Sequence, residues 1–179
     1  WFAPERGVRD IYSFRRGSWH DAVGEESRAV RARVGVLDQT SFAKYEVSGA
    51  GATIFLDRLC ANKLPRAQGR MALTQMCTPK GGIECDLTVT KLSEDHYYVI
   101  SAAGTENHDL AWIEYHLPKD GSVRLDNVTC RYGVLTIAGP RSRDQLQALT
   151  KADCSNEAFR FFLCRDLVVG MAPVRALRV

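Results

Sequence analysis

Two acids one residue apart, Glu84 and Asp86, follow a glycine pair in the stretch Pro79-Lys80-Gly81-Gly82-Ile83-Glu84-Cys85-Asp86-Leu87-Thr88-Val89. The glycines between apolar runs predict a tight turn, and the period of two along the strand leaving it puts Glu84 and Asp86 on one face, with Cys85 and Leu87 on the other. Two carboxylates beside glycine-opened backbone form a polar corner against an apolar wall. Such a corner raises a carboxylate pKa or holds the group ready for a cationic reactant. From this stretch alone, a solvated hairpin with charged edge residues is the simpler reading.

Other chemistry-bearing residues point to nothing sharper. Ser48-Gly49-Ala50-Gly51 lacks the third glycine of a dinucleotide fingerprint and the strand-helix-strand context, so it reads as a strand-to-helix turn. His20, His96, His108 and His116 are dispersed, without metal-ligand spacing, and read as surface or packing residues; the sequence suggests no metal. The six cysteines at 60, 77, 85, 130, 154 and 164 form no C-x-x-C pair and read as reduced core thiols of an intracellular protein. Arg15-Arg16 and Arg141 with Arg143 make small basic patches that suit an anionic tail but are more often solvated faces.

The elements that position these residues follow from periodicity. Residues 1 to 22 carry Trp1, Phe2, Pro4, Tyr12, Phe14 and Trp19 without a period and read as an extended arm packing its aromatics on a larger body. A helix is expected over 24–34, closed by Gly35, then a turn at Asp38-Gln39-Thr40-Ser41-Phe42 in which Asp38 and Thr40 can cap backbone groups. From Ala43 the pattern predicts strands at 43–48, 70–78, 85–91, 96–102, 122–128 and 132–138. Two helices fall between them: 51–61, with Ile54, Phe55, Leu59 and Cys60 inward, and 105–117, with Leu110, Ile113 and Leu117 inward. Two helices across an antiparallel sheet in this order make an α+β, ferredoxin-like unit. Gly139-Pro140 opens another helix to Leu149, and strands follow at Leu163 to Val169 and Val174 to Val179. Three parts result: an arm and helix over 1–42, the ferredoxin-like unit over 43–139, and a β-rich return to the first part over 140–179.

With 179 residues, 45% hydrophobic and 25% charged, the chain can bury a substantial core. No apolar run approaches the ~20 residues of a membrane span, and no secretory pattern opens the chain. A net charge of +3 is mild and singles out neither nucleic acid nor a membrane surface as partner.

The central stretch resembles the G-G-x-x-x-D-L-x-V segment of the folate-binding aminomethyltransferase family, typified by the glycine cleavage T-protein. The likeness continues through Trp1-Phe2, Ser13-Phe14-Arg15-Arg16, Asp38-Gln39-Thr40-Ser41-Phe42-Ala43-Lys44, Phe55-Leu56-Asp57, Cys60-Ala61-Asn62, His108-Asp109-Leu110-Ala111-Trp112-Ile113, Gly139-Pro140 and Asp153 to Phe159. It is closer to the C-terminal folate-binding half of FAD-dependent dimethylglycine and sarcosine dehydrogenases. The resemblance implies tetrahydrofolate at Asp86, the catalytic acid, with Phe42 and Leu73 as apolar contacts; Glu84 is no part of that resemblance and is read, from its closeness to Asp86, as a second acid that tunes it. It implies a methylamine-derived one-carbon unit as the other reactant, FAD on an N-terminal domain not in this chain, and residence in bacterial cytoplasm or the mitochondrial matrix. Ala102 stands where the T-protein has a folate-binding Asn, which moves the likeness toward the dehydrogenases. The family continues past the last strand into a Tyr/Val-x-Gly-Glu-x-Gly segment at the pterin, so the resemblance implies a folate site completed beyond Val179 and a piece prone to self-association alone. A free aminomethyltransferase and a non-catalytic relative, the regulatory subunit of pyruvate dehydrogenase phosphatase, are the alternatives.

Overall fold

A computed structural model describes residues 13–179. The expected aromatic arm lies outside the described residues at Trp1, Phe2, Pro4 and Tyr12. Helix α1 (His20–Ala32) starts four residues before the expected position, its first turn closed by Val23 N–H on the Trp19 carbonyl at 2.9 Å. Gly35 does not close it but opens strand β1 (Gly35–Asp38).

The centre of the chain runs β2 (Ala43–Ser48), α2 (Ala52–Leu59), β3 (Met71–Cys77), β4 (Ile83–Ser93), β5 (His96–Ser101), α3 (Glu106–Tyr115) and β6 (Arg124–Asn127). The five strands form one antiparallel sheet in the order β3-β4-β5-β2-β6. Without β3, the order and connections are those of the ferredoxin-like α+β fold, so β3 is an added edge strand. The strand expected over 132–138 is shorter, β7 (Leu135–Ala138), and pairs with β1 instead of this sheet. A 3-10 turn at Thr129–Arg131 causes the difference: Val128 N–H still reaches the Lys44 carbonyl at 2.9 Å, and the turn then carries the chain off the sheet edge. Helix α4 (Ser142–Gln147) and the hairpin β8 (Leu163–Val169) with β9 (Ala172–Arg178) complete the fold.

One face of the sheet is the core. Tyr45, Val47, Met76, Val89, Tyr97 and Val99 are fully buried there with Leu56 of α2 and Ile113 of α3. Each such side chain contributes about 1.5–3 kcal/mol by leaving water. Helix α2 buries Ala52, Phe55 and Leu56, a spacing of three and four that leaves Ile54 outside, 76% exposed, contrary to expectation.

The strand register puts Lys44, Glu46, Met71, Leu73, Gln75, Asp86, Thr88, Thr90, Tyr98 and Ile100 on the opposite face. At one end of it Met71, Thr90 and Tyr98 are buried. There the Arg175 guanidinium of β9 lies 4.7 Å from the Tyr98 ring and 3.6 Å from Glu46. Backbone bonds from Met71 to Phe162 and from Cys164 to Gly69 tie the hairpin down. The other end, around Leu73 and Asp86, stays open. No helix among the described residues is long and apolar enough to cross a membrane.

Candidate functional site

The β3–β4 turn is built by Thr78. Its carbonyl accepts Gly81 N–H at 2.9 Å, its own N–H reaches the Gly82 carbonyl at 2.8 Å, and its Oγ1 accepts Gly82 N–H at 3.1 Å. Pro79 sits at the second turn position, which its fixed φ suits, and Gly81 takes φ 82°, a value that favours glycine. Beyond the turn the register slips: Cys77 pairs with Ile83 but Met76 with Cys85, so Glu84 has no partner and forms a β-bulge.

This bulge separates the two acids. Asp86 is exposed on the open face, while Cys85 and Leu87 are buried in the core. Glu84 is instead engaged by α3: its Oε2 lies 3.1 Å from His108 Nε2. The acid beside Asp86 in the expected corner therefore faces a histidine of the helical layer.

Asp86 pairs in register with Gln75, whose Nε2 donates to its Oδ1 at 2.9 Å. The next row on this face is Leu73–Thr88–Ile100–Lys44. One residue past the paired ends of β5 and β2, Ala102 and Phe42 continue the row of Asp86. Phe42, Leu73 and Asp86, far apart in sequence, thus come to one face; Leu73 is 52% exposed and Phe42 half-buried. The surface they form carries Leu73, Ile100 and Phe42 with the half-buried Thr88 between Leu73 and Ile100, and the Asp86 carboxylate and the Gln75 amide lie in the adjacent row.

Lys44 supports this surface and carried no signal of its own, since a lysine in Ala43-Lys44-Tyr45-Glu46-Val47 alternates to the outward face. It is fully buried; its Nζ donates to the carbonyls of Thr40 and Phe42, both at 2.8 Å. Burial pulls the Lys44 pKa below its ordinary 10.5. The preceding turn is capped as its residue types suggest: Asp38 Oδ1 accepts Thr40 N–H at 2.9 Å and Thr40 Oγ1 accepts Val134 N–H at 3.1 Å. The hydrogen bonds from Thr40 hold the exposed Asp38 carboxyl below 3.8.

On the helical side, His108 Nδ1 lies 3.1 Å from Oδ1 of the buried Asp109, and Thr105 Oγ1 donates to Asp109 Oδ2 at 2.8 Å. The hydrogen bond to Asp109 raises the His108 pKa above 6.5. Burial, then Asp109, push the neighbouring Cys85 thiol up to about 12. Gly49, in the strand-to-helix turn, has φ 113°, and a Cβ there would stand 2.4 Å from the Ser122 carbonyl, so packing accounts for this glycine. Arg143 is bound to Asn156 at 2.6 Å. Two clefts, one floored by Gly69 and Cys164, the other lined by Arg58, Lys63 and Arg66, lie away from Asp86. The Cys164 thiol in the first is buried, with its pKa pushed up to about 11 by that burial, and neither cleft includes Phe42, Leu73 or Asp86.

Similarity to known proteins gives the family and the fold. The GCVT N-terminal domain family matches residues 1–179, and the chain belongs to that family. The mitochondrial dimethylglycine dehydrogenase of Rattus norvegicus is 39% identical over all of this chain and 21% of its own length. The mitochondrial pyruvate dehydrogenase phosphatase regulatory subunit of Mus musculus is 32% identical over 89% of this chain and 18% of its own. The chain thus spans about a fifth of these curated relatives. Among solved structures, the glycine cleavage system aminomethyltransferase T from Bartonella henselae superposes with a TM-score of 0.65 over 78% of this chain and 37% of that one, at 21% identity, and shares the fold.

Proposed function

We propose that this chain is the T-protein-like, folate-binding one-carbon transfer module of an FAD-dependent methylamine dehydrogenase of the dimethylglycine or sarcosine type, passing a methylene unit to tetrahydrofolate. The observation that carries this reading is the single open face shared by Phe42, Leu73 and Asp86. Its support from relatives is the full-length match of the chain to dimethylglycine dehydrogenase.

The residues suit a bound pterin. A flat heterocycle lies on apolar side chains and needs a few placed polar groups, and the face offers Leu73, Ile100 and Phe42 with the Asp86 carboxylate and the Gln75 amide in the adjacent row and Thr88 among them. When bound, tetrahydrofolate supplies the two nitrogens, N5 and N10, that take up the one-carbon unit. Asp86 accepts the proton that leaves N10 and holds positive charge by its own negative charge. Phe42 and Leu73 bind and orient the ring, and Gln75 fixes the Asp86 carboxylate through one oxygen, leaving the other for the reacting nitrogen. Glu84, turned to His108, supports the strand that carries Asp86. The flavin that oxidises the methylamine belongs to another part of the whole protein, in the mitochondrial matrix or bacterial cytoplasm.

The test is Asp86→Asn in the intact protein. Tetrahydrofolate binding, measured by calorimetry, stays within a few-fold, while methylene-tetrahydrofolate formation falls about 10²–10⁴-fold, the usual contribution of a general base. An unchanged rate refutes the role of Asp86. A regulatory role without catalysis is the second reading, favoured by the match to the phosphatase regulatory subunit; absence of tetrahydrofolate binding in the unsubstituted protein decides for it.

A further inference from the structure

On the side of the sheet away from the open face, we propose that Cys85, His108 and Asp109 form a binding site for one divalent, zinc-like cation. Their ligand atoms, the Cys85 Sγ of β4, a ring nitrogen of His108 and a carboxylate oxygen of Asp109 on α3, all lie within 4.8 Å of one another. Around a tetrahedral ion with bonds of about 2.0–2.3 Å, such atoms stand about 3.3–3.7 Å apart. The widest separation therefore needs to close by about 1–1.5 Å at most.

Two neighbours orient the ligands toward a common point. Glu84 Oε2 lies 3.1 Å from His108 Nε2, placed to accept a proton there, and Nδ1, 3.1 Å from Asp109 Oδ1, is the nitrogen that faces the cluster. A carboxylate on the far nitrogen of a metal-binding histidine is the usual outer support of such a ligand. Thr105 Oγ1 holds Asp109 Oδ2 at 2.8 Å, so Oδ1 stays turned to His108. The bulge at Glu84 thus acquires a purpose: it moves that carboxylate off the open face and onto the histidine.

The charge and the donor types agree. Cys85 and Asp109 are both buried, 2% and 1% exposed, side by side. A divalent ion supplies the charge that lets the thiol ionise, releasing its proton and the one held between His108 and Asp109. One sulfur, one nitrogen and one oxygen suit zinc and exclude magnesium and calcium, which take oxygen ligands. Three protein ligands leave a fourth position for water. The site stands independently of the folate reading, because its readouts are metal content and spectrum.

The experiment strips the intact protein with a chelator, titrates it with Co²⁺, and follows the thiolate-to-cobalt charge-transfer band as a difference spectrum against Cys85→Ser. Bound zinc per chain is measured by elemental mass spectrometry after dialysis. The expected result is one ion per chain, with the band lost in Cys85→Ser and binding lost in His108→Ala. Glu84→Gln, a milder change at the periphery, keeps the band and weakens affinity about 10–100-fold. Circular dichroism shows that each variant is folded. If Cys85→Ser does not fold, the Glu84→Gln shift and the His108→Ala loss decide. No cobalt band in the unsubstituted protein, or undiminished binding in His108→Ala, overturns the proposal and leaves the cluster as a hydrogen-bonded ion pair.

Discussion

Replacing Lys44 by Met tests whether a buried ammonium holds the turn that presents Phe42. Lys44 has no exposed surface, and its Nζ sits 2.8 Å from the carbonyls of both Thr40 and Phe42. Its backbone is held apart from these contacts, by Thr129 Oγ1 at its N–H and Val128 at its carbonyl, so β2 survives the change. Methionine keeps the stem volume and removes the charge. Two charge-assisted hydrogen bonds are lost, each worth about 1.5–3 kcal/mol. The gain is that no charge need be buried, and the carbonyl of exposed Thr40 can turn to water. The Phe42 carbonyl, half-buried, is left to bear a penalty of about 1–3 kcal/mol. The net is a loss of about 2 kcal/mol, a fall in melting temperature of roughly 4–8 °C for a chain of this size. Thermal melting of Lys44→Met beside the unsubstituted protein measures it, and amide hydrogen exchange at Thr40 to Phe42 should quicken. A melting temperature within about 1 °C, with exchange unchanged, refutes the reasoning.

Two further outcomes follow from titratable groups. The Asp38 carboxyl is lowered below 3.8 by the hydrogen bonds from Thr40, so its charge adds stability that is present above 3.8 and lost as pH falls through the lower folded value. Asp38→Asn should therefore melt below the unsubstituted protein at pH 7, with the gap closing in acid; a gap constant with pH contradicts this. Iodoacetamide should label the exposed Cys130 first and spare Cys60, Cys85 and Cys164, whose thiols burial pushes up to about 12, 12 and 11. Peptide mass mapping reads the order, and early labelling of Cys85 counts against its placement.

What could be read in advance was whatever local pattern dictates. Alternation along 85–89 put Asp86 outward and Cys85 and Leu87 inward, and the glycine turn before them formed as expected, because both follow from backbone geometry over a few residues. The α+β sheet with its two helices was legible for the same reason. The pairing of β7 with β1 was not, since it depends on a 3-10 turn at Thr129–Arg131 diverting the chain. Lys44 was illegible as a site residue because its outward position says nothing of the Asp38–Phe42 turn folding over it. His108 looked isolated in sequence; only the packing of α3 against β4 sets it between Glu84 and Asp109.

The bulge explains why two neighbouring acids can take different tasks. In a regular strand Glu84 and Asp86 would share a face about 6.6 Å apart. Two carboxylates at that separation repel by about 0.6–2.5 kcal/mol, depending on how much water lies between them. Such repulsion would favour a proton on one of them, a poor state for a base. The unpaired residue at Glu84 turns that carboxylate to His108 at 3.1 Å, and Asp86 keeps a neutral partner, the Gln75 amide at 2.9 Å. The open face then presents one carboxylate beside apolar side chains, the arrangement that a proton-accepting role at a bound ring requires. The second carboxylate serves the helical layer, where it fixes a histidine. One extra residue in β4 is enough to separate the two.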